Sequence, residues 1–317
     1  MTTAENACPP ADGRHWPKSD RGISLGLMMP IFEFPDTGRA PSFEELLEMG
    51  LKAREVGFEA LWIADHFVMG DGSAEQPFGG IWECWTLAAA LAARVPDLQI
   101  GTAVSCTGFR NPGVIAKMTE MVDEISGGRV ILGLGAGWHK PEYDQFGFPF
   151  DHRASRFEDA IRIIHPLLRE GKADYQGEFF QANQALNIPR GPRPQGAPIL
   201  VGSNGPRMLG LIASHADAWN TVWHRDTAKV REQIPAVDAA CEAAGRDPAT
   251  LVRTAGVIFG GGEDPAAPLD VAAGASMVND FRELGFSHLM SHVFPPTLAM
   301  IESVGSVIEM VDAGNAR

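Results

Sequence analysis

Asp65 and His66 stand side by side in the segment ALWIADHF. Imidazole is the side chain whose ordinary pKa lets it give or take a proton near neutral pH, which is the help that hydride transfer to or from an alcohol or carbon acid requires. Taken alone, the pair reads equally as an Asp capping a loop beside a packed His. A second stretch, VILGLGAGWH, carries Gly133, Gly135 and Gly137 at alternate positions before Trp138 and His139. Glycines in that rhythm leave one face of a strand without side chains, so that a flat ring, or a neighbouring part of the protein, can pack close to it. The third candidate is Gly202-Ser203-Asn204-Gly205-Pro206-Arg207-Met208, where a strand passes through a glycine-containing turn into a helix opening at Pro206. Free backbone N–H groups and the helix dipole favour an anion there, with Ser203 and Arg207 available as further donors; an ordinary helix cap is the plainer alternative.

These groups need elements to hold them. From Ile23 onward, short apolar runs alternate with amphipathic segments. The strand candidates are 23–30, 60–66, 99–106, 129–137, 198–203, 217–222, 251–259 and 287–294. Helical segments lie between and after them; SFEELLEMGLKAREVG begins with a serine three residues before Glu45, and PGVIAKMTEMVDEISGG opens on proline and closes on glycine. Eight βα units in one chain of this length predict an α/β fold, a (β/α)8 TIM barrel, with a doubly wound open sheet as the alternative. A single barrel domain is expected over 22–317 after a loosely ordered N-terminal arm, 1–21. Residues 172–197, rich in Pro, Gly and aromatics, are expected as an insertion after the fourth βα unit, near the open end. The dinucleotide reading of the glycines requires a helix starting directly behind them, whereas Pro141 and Pro149 in WHKPEYDQFGFPFDHR are expected to block one.

Composition narrows the partners. Formal net charge is −14 among 317 residues, with no concentration of Lys or Arg, so nucleic acid and anionic membrane are disfavoured and a small molecule is expected. The four cysteines, Cys8, Cys84, Cys106 and Cys241, are widely spaced and show neither a disulfide framework nor a zinc motif; no metal is expected. No apolar run approaches a membrane span and no secretory leader is seen, which gives a cytoplasmic expectation.

The run from GTAVSCTGFRNPGVIAKMTEMVDEISGG through RVILGLGAGWHKPEYDQFGFPF, together with ALWIADHF, PILVGSNGPRMLGLIASHADAWNT and RELGFSHLMSHVF, resembles the luciferase-like monooxygenase superfamily. The resemblance covers nearly everything after the arm. It implies a (β/α)8 barrel using reduced flavin or the 8-hydroxy-5-deazaflavin, coenzyme F420. Within the deazaflavin branch, which carries an Asp-His pair here, it implies that His66 exchanges the proton and that Asp65 contacts the ring end of the cofactor. It places a bulge with a non-prolyl cis peptide, at Ala103-Val104, at the end of the third strand, backing the ring, and puts Cys106 where relatives carry a cofactor-contacting hydroxyl. It further assigns Ala136 and Gly137 to the cofactor, and Gly202, Ser203, Asn204, Gly205 and Arg207 to its phosphate-bearing tail. Trp138, Tyr143 and Trp223 are expected to line the substrate pocket. Sugar-phosphate dehydrogenases of the superfamily carry a glutamate where Trp138 stands, so that substrate is disfavoured. The implied function is hydride transfer between the deazaflavin C5 and a small organic substrate. An FMN-dependent monooxygenase fed by a partner reductase is the alternative, and a non-catalytic cofactor-binding barrel the third reading. A homodimer is expected.

Overall fold

The computed structural model describes residues 16, 19–34, 37–262 and 267–315. Most of the expected N-terminal arm, with Cys8, lies outside the described residues. The first strands are β1 (Ser24–Met28) and β2 (Ala60–Ile63), followed by a small hairpin of β3 (Val68–Met69) and β4 (Gly79–Gly80), then β5 (Gln99–Thr102), β6 (Ser105–Cys106) and β7 (Val130–Gly135). A second hairpin, β8 (Lys172–Gln176) and β9 (Gln181–Leu186), precedes β10 (Ile199–Gly202), β11 (Ala218–His224), β12 (Val252–Gly260) and β13 (Phe286–Phe294). The helices are α1 (Phe43–Glu55), α2 (Cys84–Arg94), α3 (Pro112–Ser126), α4 (Lys140–Phe146), α5 (Arg153–Glu170), α6 (Pro206–His215), α7 (Ala228–Ala243), α8 (Val271–Glu283) and α9 (Leu298–Asn315).

The hydrogen-bonded strand order is β10-β11-β12-β13-β1-β2-β5-β7-β6, and β10 also pairs with β7, which closes the ring. This is the (β/α)8 barrel expected from the eight alternating units. The third barrel strand is split: β5 stops at Thr102, and β6 resumes at Ser105 to pair with Leu134 and Gly135 of β7. Every residue of β1, β2 and β7 is buried, as befits parallel strands covered on both faces.

Local signals explain the helix boundaries. Ser42 Oγ accepts from the Glu45 amide at 3.3 Å while the Glu45 carboxylate accepts from the Ser42 amide at 2.7 Å, a complete capping box for α1. Asn111 caps α3 in front of Pro112, and Gly127 ends it with φ 68°. One expectation is overturned: Pro141 does not block a helix after Gly137. It sits in the first turn of α4, where the missing N–H has no partner to lose, and the helix ends at Gly147 with φ 75°. No helix among the described residues is long and apolar enough to cross a membrane.

Two compact units divide the described residues, one built from Trp16, 104–219 and 233–252, the other from 19–103, 220–232 and 253–315. In the first, the insertion at 172–197 is the β8–β9 hairpin and its return. Because α5 carries the chain back to the starts of the strands, the hairpin is rooted there rather than at the open end. Arg193 bonds Asp123 at 2.9 Å and the Val130 carbonyl at 2.6 Å, and Arg190 bonds Glu120 at 2.9 Å. Only the tip reaches the first turns of α5: Asp159 accepts from the Tyr175 hydroxyl at 2.8 Å and the Phe179 amide at 2.7 Å, and His152 stacks on Phe179 at 5.3 Å. In the second unit, Trp62 fills the space beside Gly26 and Gly101, where a β-carbon on either glycine would overlap its indole.

Candidate active site

In the unit that contains β1 and β2, Asp65 and His66 follow the C-terminal end of β2, the end where barrel enzymes collect catalytic groups. Asp65 is buried and His66 half-buried. Beneath them runs a polar chain through the core. Trp62 Nε1 donates to His288 Nε2 at 2.8 Å, and His288 Nδ1 lies 2.6 Å from Ser24 Oγ, which donates to the Ser287 carbonyl at 3.2 Å. An indole N–H can only donate, so Nε2 accepts and the proton of the neutral ring sits on Nδ1. Burial pushes the His288 pKa down to about 3, which keeps the ring neutral.

At the C-terminal end of β13, His292 lies between Trp223, 4.9 Å away centroid to centroid, and Phe294, 4.7 Å away. Burial lowers its pKa to about 4. Trp223 follows a cis peptide bond, Val222–Trp223, and its indole occupies the space a β-carbon on Gly256 would need. The non-prolyl cis bond is therefore at Val222–Trp223, and the bond expected at Ala103–Val104 is trans. What Ala103 and Val104 provide is the break between β5 and β6, with the Ala103 amide bonded to the Ile63 carbonyl at 2.8 Å. A cavity of about 180 Å³ opens at the ends of β1 and β13, lined by Met28, Phe32, Glu33, Phe34, His292 and Phe294 among others. None of these cavity residues was singled out from sequence; the usable signal was the four-residue spacing of His288 and His292, which puts both on one face of SHLMSHVF.

In the other unit, the glycine face is filled. A β-carbon on Gly135 would collide with Val104, and one on Gly137, at φ 79°, with the Tyr143 hydroxyl and Cys106 Sγ. Packing by neighbouring side chains, rather than a ring lying against bare backbone, explains these two glycines. Tyr143 is fully buried, so it does not line an open substrate pocket as expected. Its hydroxyl lies 3.1 Å from the Ala136 carbonyl and 3.0 Å from Cys106 Sγ, and burial, then the neighbouring Cys106, raises its pKa. With the carbonyl accepting the Tyr143 proton, the Cys106 thiol donates to the hydroxyl oxygen. Cys106 thus serves the packing around Gly137. Ala136 and Gly137 are half-buried, and Trp138 beyond them is 61% exposed. Trp219, by contrast, is buried with its indole donating to the Ser203 carbonyl at 2.9 Å.

The β10–α6 turn stays open. Gly202 and Ser203 are half-buried, Asn204, Gly205 and Arg207 exposed, and no side chain caps α6 at Gly205. A β-carbon on Gly205 would meet nothing within 4 Å. The free amides of this first turn fit an anionic group such as a phosphate. Arg207 is already committed: its guanidinium bonds Glu158 at 2.6 and 3.1 Å and Ser155 Oγ at 2.9 Å, tying α6 to α5 rather than pointing free donors at the turn.

A family model described as luciferase-like monooxygenase matches residues 23–292. A coenzyme F420-dependent glucose-6-phosphate dehydrogenase of Kineococcus radiotolerans is 30% identical over 234 residues, covering 71% of this chain and 66% of that protein. Pyrimidine monooxygenase RutA of Klebsiella pneumoniae is 34% identical over 152 residues, 44% of this chain and 41% of the relative. The chain thus spans two thirds or less of the length of these relatives. Among solved structures, the F420-dependent tetrahydromethanopterin reductase of Methanopyrus kandleri superposes with a TM-score of 0.72 at 18% identity, covering 91% of this chain and 99% of that one, which speaks to the fold.

Proposed function

Because the chain belongs to the luciferase-like monooxygenase family, we propose that it is an oxidoreductase using coenzyme F420, with a small neutral organic molecule as hydride donor or acceptor. The observation that carries the cofactor half of this reading is the α6 N-terminus, exposed, uncapped and free of side chains at Gly205, which suits the phosphate-bearing tail of such a coenzyme. The coenzyme supplies hydride chemistry at its ring C5. In this reading Gly202, Ser203, Asn204 and Gly205 present backbone amides to the tail. His66 takes the proton that must leave an alcohol oxygen as its carbon is oxidised, or returns it in the reverse direction, and buried Asp65 contributes to the ring end of the site. The faces of Gly135 and Gly137 are not offered as the seat of the ring, since Val104 and Tyr143 occupy them. The glucose-6-phosphate dehydrogenase relative supports the deazaflavin. Trp138, standing where sugar-phosphate dehydrogenases of the superfamily carry a glutamate, argues against a sugar phosphate as substrate.

The second reading, an FMN-dependent monooxygenase supplied by a separate reductase, draws support from the likeness to the pyrimidine monooxygenase. Titrating the purified chain with each cofactor, and following oxygen consumption with reduced FMN, separates the two. Deazaflavin binding, with reduced FMN consuming oxygen no differently from a protein-free control, upholds the first reading; FMN binding with oxygen consumption that departs from that control replaces it.

A further inference from the structure

We propose that the cavity at the ends of β1 and β13 is a subsite for a compact, uncharged, largely apolar alcohol or ketone, and that His292 is its specificity-determining residue, hydrogen-bonding the single oxygen. As a statement about substrate class it rests on the oxidoreductase reading above.

Size comes first. A cavity of about 180 Å³ is slightly larger than the ~150 Å³ apolar hole that accepts one benzene, so it admits a monocyclic molecule with a short side chain and excludes a disaccharide or nucleotide. The lining comes second. Met28, Phe32, Phe34, Phe294 and the prolines Pro30 and Pro296 are apolar, which stabilises a hydrocarbon body. Charge comes third: the polar lining groups are Glu33 and His292. The Glu33 carboxylate is exposed and already accepts from the Gly80 amide at 2.7 Å; its negative charge at the rim opposes phosphates and carboxylates.

His292 is the remaining polar group. Its ring is half-buried between Trp223 and Phe294 and makes no hydrogen bond to any described residue. A neutral imidazole offers one N–H and one lone pair, so it can donate to a ketone oxygen or accept from a hydroxyl. The same ring thus suits either redox form of one substrate. Its orientation is fixed by its neighbours. Trp223 can stack on it only because position 256 is glycine, and Phe294 closes the other side.

The test uses the whole chain without coenzyme and measures binding of three probes by calorimetry: 1-phenylethanol, ethylbenzene and glucose 6-phosphate. Expected results are that the alcohol binds more tightly than the hydrocarbon, and that the sugar phosphate does not compete with it. In His292→Phe the alcohol loses about five- to ten-fold in affinity, the worth of one hydrogen bond, while ethylbenzene changes less than two-fold. Should His292→Phe lose both ligands through misfolding, His292→Gln decides: retention of alcohol binding supports the proposal and its loss overturns it. Undiminished alcohol binding in His292→Phe, or preference of the native chain for glucose 6-phosphate, also overturns it. Coenzyme titration is a separate measurement, so a chain that binds the alcohol as described but not the deazaflavin refutes the function and leaves the subsite standing.

Discussion

His66 handles the proton in the proposed reaction. Replacing it with Ala removes the acid–base partner while leaving the β10–α6 turn untouched, so turnover with the deazaflavin is expected to fall by ~10²–10⁴-fold with cofactor affinity little changed. Steady-state rates and a fluorescence titration on the same variant check both halves. Gly137 makes a packing prediction of a different kind. Its φ of 79° and the Tyr143 hydroxyl pressed against it leave no room for a methyl group. Gly137→Ala is expected to cost about 2–3 kcal/mol in chemical denaturation. Adding Tyr143→Phe, which removes the obstructing oxygen, should restore part of that loss; a double variant no more stable than the single one would refute the contact. Asp65 and His66 were visible in sequence as a chemically capable pair. Tyr143 was visible as an aromatic near the glycines, but that it turns inward to fill them was not, since the choice between ligand and side chain against a glycine depends on a residue brought in by α4.

Elements are held by buried polar ties as much as by apolar packing. Asp217, fully buried just before β11, accepts from Arg169 at 2.6 Å and from the Ile199 amide at 2.7 Å, joining the end of α5 to the start of β10. Asp217→Ala leaves the Arg169 charge and a strand amide without this partner. A loss of about 3–5 kcal/mol is expected, measured by urea unfolding. All eight barrel strands and most helices were legible because apolar runs, Ser42 with Glu45, and Pro112 with Gly127 are local signals. Two features were not. Pro141 looked like a helix breaker because the sequence does not say which turn it will occupy, and in the first turn it is harmless. The cis bond at Val222–Trp223 has no residue-type signature, since it depends on tertiary neighbours such as Gly256; the break of the third strand at Ala103 and Val104 agrees with the bulge that the family resemblance implies there.

For the whole molecule, buried histidines set the response to acid. His165, His215 and His288 are buried, and burial lowers their pKa values to about 3, 4 and 3. In the unfolded chain each returns to the ordinary value near 6.5, so below that pH the unfolded state binds protons that the folded state does not. Stability is therefore fully present above about pH 6.5 and is lost as pH falls towards 4, each histidine contributing up to about 2 kcal/mol at pH 5. Carboxylates are still ionised through most of that window, which isolates the histidine effect. Urea unfolding at pH 7.5 and pH 5 reads it; equal stabilities would contradict the burial of these rings as neutral species. Which coenzyme this barrel serves is decided by one equilibrium titration of the purified chain against coenzyme F420 and against FMN. Saturable binding of the deazaflavin is expected, weakened when Gly205 is replaced by a bulky acidic residue, with much weaker binding of FMN. Tight FMN binding with none for the deazaflavin would contradict it.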